Sequence, residues 1–257
     1  MATKPRILAV GSCRIARPLR SLHKLGVIDF ANKEEPWFTH SSGEGLQYVR
    51  LIRGSLKLDE RLRPFVDVPD REESPSLARP GSVRDIDLVL VEISALKVAT
   101  VAGEFVHVPK VWTAADALGL DNRASTSKRG VPWPAGHPLR DIKLAQESEA
   151  DIVGNLRAIG AEVQAPVTIC DHIHALDKDG NPLPARERLS ELLSEVGHKH
   201  GIPKFSTKDM LVQHDQQAAL LDSTHYRDSF EKTAGEYFWS FLSQALASYH
   251  EKARLSA

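Results

Sequence analysis

The sequence predicts a three-layer α/β/α sandwich around a mainly parallel central sheet, carrying loop insertions and forming one domain over residues 1–257. Three observations predict it. Short apolar runs lack polar alternation, as strands buried on both faces do. Segments with apolar residues three or four apart lie between them, and such alternation of strand and helix makes a doubly wound sheet. At 257 residues the chain is also long enough for one large core without a second domain.

Taken in order, Ile7 to Val10 is an apolar strand ending in Gly11-Ser12, and Ile15, Leu19 and Leu22 then mark a helix. Gly45 to Ile52 is helical. Ile86 to Ile93 is a buried strand whose only late interruption is Glu92. Val98 to Val101 and Phe105 to Val108 flank Gly103-Glu104 as a hairpin. A helix is expected over Asp141 to Ile159, a strand at Val167 to Cys170, and a helix over Ala185 to Val196, bounded by Pro184 and Gly197. A short strand at Pro203 to Phe205 precedes a closing helix from about Asp228 to His250, with Phe230, Tyr237, Phe241 and Leu242 expected inside. Two segments break the rhythm. Residues 59–84 read as a surface loop, and residues 112–140, with Trp112, Trp133 and the basic Arg123, Lys128 and Arg129, as an exposed aromatic loop over a site.

Composition excludes several classes. Lysine plus arginine (33) nearly equals aspartate plus glutamate (34), so no global field draws a polyanion or an anionic membrane, and neither is expected as a partner. Two cysteines do not make a disulfide scaffold. The first apolar run is too short for a leader or a span, so a cytoplasmic protein is expected. The glycines after Gly11 do not continue as a dinucleotide fingerprint. His172 and His174 alternate in a way that suits a metal, but no third ligand stands near, so no metal is expected. His198 and His200 read as helix-end residues favoured by the dipole.

Two segments carry candidate chemistry. Gly11-Ser12-Cys13 places a thiol at the start of a helix, where N–H groups and the neighbouring Arg14 are expected to lower its pKa and to stabilise an oxyanion. A small buried thiol in a turn is the plainer alternative. Asp222-Ser223-Thr224-His225 sets a carboxylate three residues before a histidine, which suits imidazole orientation as well as ordinary helix capping.

A nucleophile after the first strand and Asp-x-x-His before the last helix together resemble the SGNH/GDSL hydrolase superfamily. Its Gly-Ser-Cys (GSCFA) branch and the related SGNH-like acyltransferases of polysaccharide biosynthesis are the nearest in pattern, with Arg14 and Ile15 departing from the branch motif. The resemblance implies the SGNH-hydrolase, flavodoxin-like fold and a triad of Cys13, His225 and Asp222 working through a thioester. It further implies an oxyanion hole from the Cys13 N–H with Gly43 or Gly45 and Ser94, the last because Val91-Glu92-Ile93-Ser94 stands where Gly-x-Asn-Asp is usual. Ser12, Arg14, His172, His174 and Trp133 are expected to meet substrate. The implied reaction is ester hydrolysis or O-acyl transfer to a carbohydrate-type acceptor, with an acyl-coenzyme A as co-substrate and no tightly bound cofactor. The alternatives are a non-catalytic module binding a carbohydrate or nucleotide-containing ligand, and a flavodoxin-like binding domain in which Cys13 and His225 lie apart.

Overall fold

The computed structural model describes residues 4–33, 38–66, 84–120 and 133–255. Arg123, Lys128, Arg129 and most of the expected 59–84 loop lie outside the described residues. The fold is an α/β/α sandwich around a five-stranded, all-parallel sheet. Its strands are β1 (Arg6–Val10), β2 (Asp29–Phe30), β3 (Leu88–Ile93), β7 (Val167–Asp171) and β8 (Lys204–Phe205), in the order β2-β1-β3-β7-β8. β1 and β3 align with Leu8 opposite Val89 and Val10 opposite Val91, and β3 and β7 with Glu92 opposite Cys170.

Period-2 alternation feeds both faces, which is why these strands lack a polar side. Ile7 and Ala9 of β1 join a core built with α1 (Cys13–Lys24) and α8 (Asp228–Leu255). Leu8 and Val10 join the opposite core, under α2 (Ser42–Arg53), α4 (Glu149–Val163) and α5 (Pro184–His200). The short helices α6 (Thr207–Leu211) and α7 (Gln216–Ala219) lead into the hairpin β9 (Leu220–Asp222) and β10 (His225–Tyr226). No helix among the described residues is long and apolar enough to cross a membrane.

A smaller antiparallel sheet, with β4 (Lys97–Val101) between β5 (Glu104–Val106) and β6 (Lys143–Gln146), is added beside the sandwich. The expected hairpin is there as β4 (Lys97–Val101) and β5 (Glu104–Val106), and α3 (Val108–Ala117) follows it. Its third strand, β6 (Lys143–Gln146), corrects the helix expected from Asp141: Ser148 and Asp151 form a capping box, so that helix starts at Glu149. Periodicity across 141–148 is too short to separate strand from helix. Trp112 is a partly exposed residue of α3, not of a loop. In the closing helix Phe230, Ala234, Phe238 and Leu242 are buried, while Tyr237 and Phe241 pack at the core's margin. The stripe follows four-residue spacing from Phe230, which displaces Tyr237 and Phe241 to its edge.

Candidate active site

In this strand order the chain leaves β1 in one direction for β2 and returns on the other side for β3, so the carboxyl ends of β1 and β3 flank the crevice where doubly wound folds bind ligands. Gly11-Ser12-Cys13 emerges there. Gly11 has no room for a side chain, because a Cβ would lie 2.6 Å from Glu92 Cβ and 2.8 Å from Ile15 Cδ1. Ser12 caps α1, accepting from the Arg14 N–H at 3.3 Å, and Cys13 is the first helical residue, half-buried. Ile15 and Ala16 donate to the Ser12 carbonyl, so in this first turn the Cys13 N–H has no acceptor other than its own sulfur among the described residues.

Glu92 closes the turn from beneath. One carboxylate oxygen accepts from Ser12 N–H at 2.8 Å and Ser12 Oγ at 2.7 Å, and the other accepts from Arg14 Nε. The carboxylate is fully buried. Burial by itself would raise its pKa, but Arg14 and Ser12 outweigh that and hold it below the usual carboxylate range. Ser12 and Arg14, both expected to meet substrate, are thus hydrogen-bonded to Glu92. The thiol also departs from expectation. Burial pushes the Cys13 pKa up, Arg14 opposes and Glu92 adds to the rise. The helix end and Arg14 do not prevail because burial, the largest effect, outweighs them, and the Glu92 charge offsets part of the pull of Arg14.

Around this turn stand two histidines kept neutral. His40 Nδ1 lies 2.9 Å from Ser94 Oγ and 3.5 Å from Arg14 Nη2, and its ring stacks on His107 with centroids 4.9 Å apart. Burial, then His107 and Arg14, push its pKa down to about 4. His172, after β7, is pushed down to about 3 by burial and by Arg14 and Arg186, and its Nδ1 lies 3.1 Å from the Ile173 carbonyl. His174, also expected to meet substrate, is buried, 3% exposed, and its backbone N–H donates to Thr207 Oγ1.

The expected oxyanion glycines have other duties. Gly43 N–H donates to Glu147 Oε1 at 2.6 Å and Ser42 N–H to Glu147 Oε2 at 3.0 Å, while Gly45 N–H donates to the Ser41 carbonyl. The Glu147 carboxyl, from the β6–α4 junction, thus occupies the N-terminus of α2; burial raises its pKa, and the Gly43 and Ser42 N–H groups oppose the rise. Both glycines serve close packing instead: a Cβ on Gly43 would meet the Phe105 ring at 2.2 Å, and one on Gly45 would meet Val10 Cγ1 at 2.8 Å. Ser94 N–H donates to the His40 carbonyl at 2.8 Å. Trp133 is also placed elsewhere. It is 5% exposed, stacked on His137 in a satellite core with Val106, Val111 and Leu139.

Asp222 and His225 face each other across the β9–β10 hairpin, with His225 Nδ1 2.9 Å from Asp222 Oδ2. Hydrogen bonds from the Thr224 hydroxyl, then from His225 and the Thr224 N–H, hold the Asp222 carboxyl well below its usual range. β10 packs against α1, which brings the hairpin to the helix that starts with Cys13. No hydrogen bond joins Cys13 Sγ to His225 among the described residues. Sequence reasoning missed Glu92 as a partner of the turn, although its position as a lone charge in an apolar strand was the available signal. His40 and Glu147 carry no local signal, because their partners are distant in sequence.

The sequence profile of the TviD N-terminal domain matches residues 5–126 and 120–241. The Vi polysaccharide biosynthesis protein TviD of Salmonella typhi is 24% identical over 255 residues, covering 87% of this chain; the chain spans 30% of that relative's length. A solved structure aligns over 94% of this chain and 97% of its own at 13% identity, with a TM-score of 0.35.

Proposed function

The chain belongs to the TviD N-terminal domain family, and on that premise we propose that it is an acyl-transfer enzyme of polysaccharide biosynthesis, moving an acyl group from an acyl-coenzyme A thioester to a carbohydrate hydroxyl through Cys13. The observation that carries the reading is the half-buried Cys13 at the switch point, its N–H given to no group but its own sulfur among the described residues, on a helix against which the Asp222/His225 hairpin packs. The curated relative's name, a Vi polysaccharide biosynthesis protein, supports the carbohydrate acceptor.

In this reading Asp222 holds His225 through Nδ1, which leaves Nε2 to take the thiol proton. The raised pKa of the thiol makes such a base necessary, since little free thiolate is present beforehand. The sulfur attacks the donor's carbonyl carbon, a new C–S bond forms, and the donor thiolate leaves with the proton from His225. An acceptor hydroxyl then gives its proton to His225, its oxygen bonds to the acyl carbon as the thioester C–S bond breaks, and the released Cys13 sulfur takes that proton back from His225. Water in place of the sugar gives hydrolysis. The Cys13 N–H is the donor best placed for the oxyanion, and His172 borders the same crevice as an uncharged hydrogen-bonding group for substrate.

The rival reading, an SGNH-like module that binds a carbohydrate or nucleotide-containing ligand without turnover, is favoured by the raised Cys13 pKa and by the lack of a Cys13–His225 hydrogen bond. Incubation with acetyl-coenzyme A followed by mass mapping of Cys13 separates the two. An acyl adduct that forms in the wild type, decays on adding an acceptor oligosaccharide, and is absent in Cys13→Ala supports transfer. Ligand binding without adduct or coenzyme release, unchanged in Cys13→Ala, establishes the rival.

A further inference from the structure

Arg186 lies in the first turn of α5, at the helix end whose partial positive charge disfavours a cation. Its side chain is half-buried, and burial followed by the nearby charge of Arg14 lowers its pKa, with Asp222 opposing. Three effects therefore weigh against a guanidinium here, and among the described residues no carboxylate bonds to it. What it does have is a pair of backbone carbonyls. Nη1 donates to Ile173 O at 2.9 Å and also to Ser223 O. Ile173 stands between His172 and His174 in the loop after β7, and Ser223 stands in the turn between Asp222 and His225. One nitrogen thus ties together two loops that border the crevice.

The hairpin needs that tie. A two-stranded hairpin is marginal on its own, and the side chains of Asp222 and His225 are 51% and 43% exposed. Its base is anchored, with Tyr226 buried, Arg227 N–H donating to the Ala219 carbonyl and Arg227 Nε to that of Gln217. Its tip is held through Ser223. We propose that Arg186 is a positioning residue which fixes the tip of the Asp222/His225 hairpin, and hence the imidazole, against the loop after β7. The proposal rests on the acyl-transfer reading of Cys13 and His225. Arg186 acts through His225 and touches neither substrate nor the reacting atoms.

The test is the pH dependence of Cys13 alkylation by iodoacetamide, mapped by mass spectrometry, in the wild type, Arg186→Ala, Arg186→Gln, His225→Ala and Arg186→Ala/His225→Ala. If Arg186 acts by placing the base, its loss should slow alkylation at neutral pH about threefold or more and shift the profile upward, as loss of His225 does. The double variant should be no slower than His225→Ala alone, because two changes acting through one group are not additive. Wild-type rates in folded Arg186→Ala or Arg186→Gln overturn the proposal, as does a double variant whose losses multiply; Arg186→Gln keeps side-chain bulk should the alanine variant unfold. A His225→Ala profile equal to the wild type overturns the acyl-transfer reading and the inference with it. A slowed His225→Ala beside unaffected Arg186 variants overturns the inference alone.

Discussion

The Arg14 guanidinium and the Glu92 carboxylate meet beneath the turn that presents Cys13, at 8% and 0% side-chain exposure. The pair joins the start of α1 to the end of β3 across the switch point. It also sets the field at the thiol, since the two charges act on Cys13 with opposite sign. Replacing Glu92 with glutamine strands Arg14 as an uncompensated buried cation, so a loss of about 3 to 5 kcal/mol is expected by urea unfolding. In whatever fraction remains folded, Cys13 should become more acidic and alkylate faster at pH 7 to 8 than in the wild type.

Acid stability follows from the same neighbourhood. His40 and His172 are held neutral, with pKa values pushed down to about 4 and about 3. An unfolded histidine takes its proton near pH 6.5, so below that pH the unfolded chain binds protons that the folded chain refuses. Stability is expected to be full above about pH 6.5 and to fall as the pH drops toward the folded values. Glu92, held below its ordinary value, adds a further loss once the pH passes below about 4.3 and through that lowered value. Thermal midpoints measured from pH 7.5 to 4.5 should decline in the wild type and decline less in His40→Gln and His172→Gln.

Gly43 supplies a sharper contrast between packing and catalysis. An alanine there would drive its Cβ into the Phe105 ring, 2.2 Å from Cζ, and to 2.9 Å from Glu147 Oε1. Overpacking of this kind costs about 1 to 3 kcal/mol. The midpoint of denaturation should shift accordingly, while the rate of Cys13 alkylation stays at the wild-type value, because the Gly43 N–H is given to Glu147.

The two thiols should separate cleanly. Cys170 is 1% exposed and burial holds its pKa well above the ordinary value, whereas Cys13 is only half-buried. Iodoacetamide at pH 8 is expected to modify Cys13 alone in the native chain and both residues in urea, as read by peptide mapping.

Trp133 should behave as a core residue. It is buried with Leu139, Val106 and Val111, and its truncation to alanine is expected to cost about 3 to 5 kcal/mol. Affinity for an acyl-coenzyme A in the folded variant, measured by calorimetry, should be unchanged.

The sequence by itself determined the layered architecture. Ile7 to Val10 and Leu88 to Val91 are apolar at consecutive positions, and Val167 to Cys170 is broken only by Thr168; strands covered on both faces bury such runs. It also determined that Cys13 opens a helix and that Asp222 precedes His225 by three residues, because both are facts of local spacing. Tertiary structure decided what those residues face. Glu92 meets Ser12 from 80 positions away, Glu147 meets Ser42 from 105, and Arg186 meets Ser223 from 37. Periodicity reports a residue's own element and the face it lies on. The charge, burial and hydrogen bonds that decide whether Cys13 is a nucleophile, and whether Gly43 offers an N–H, come from the other segments that the sheet order brings alongside.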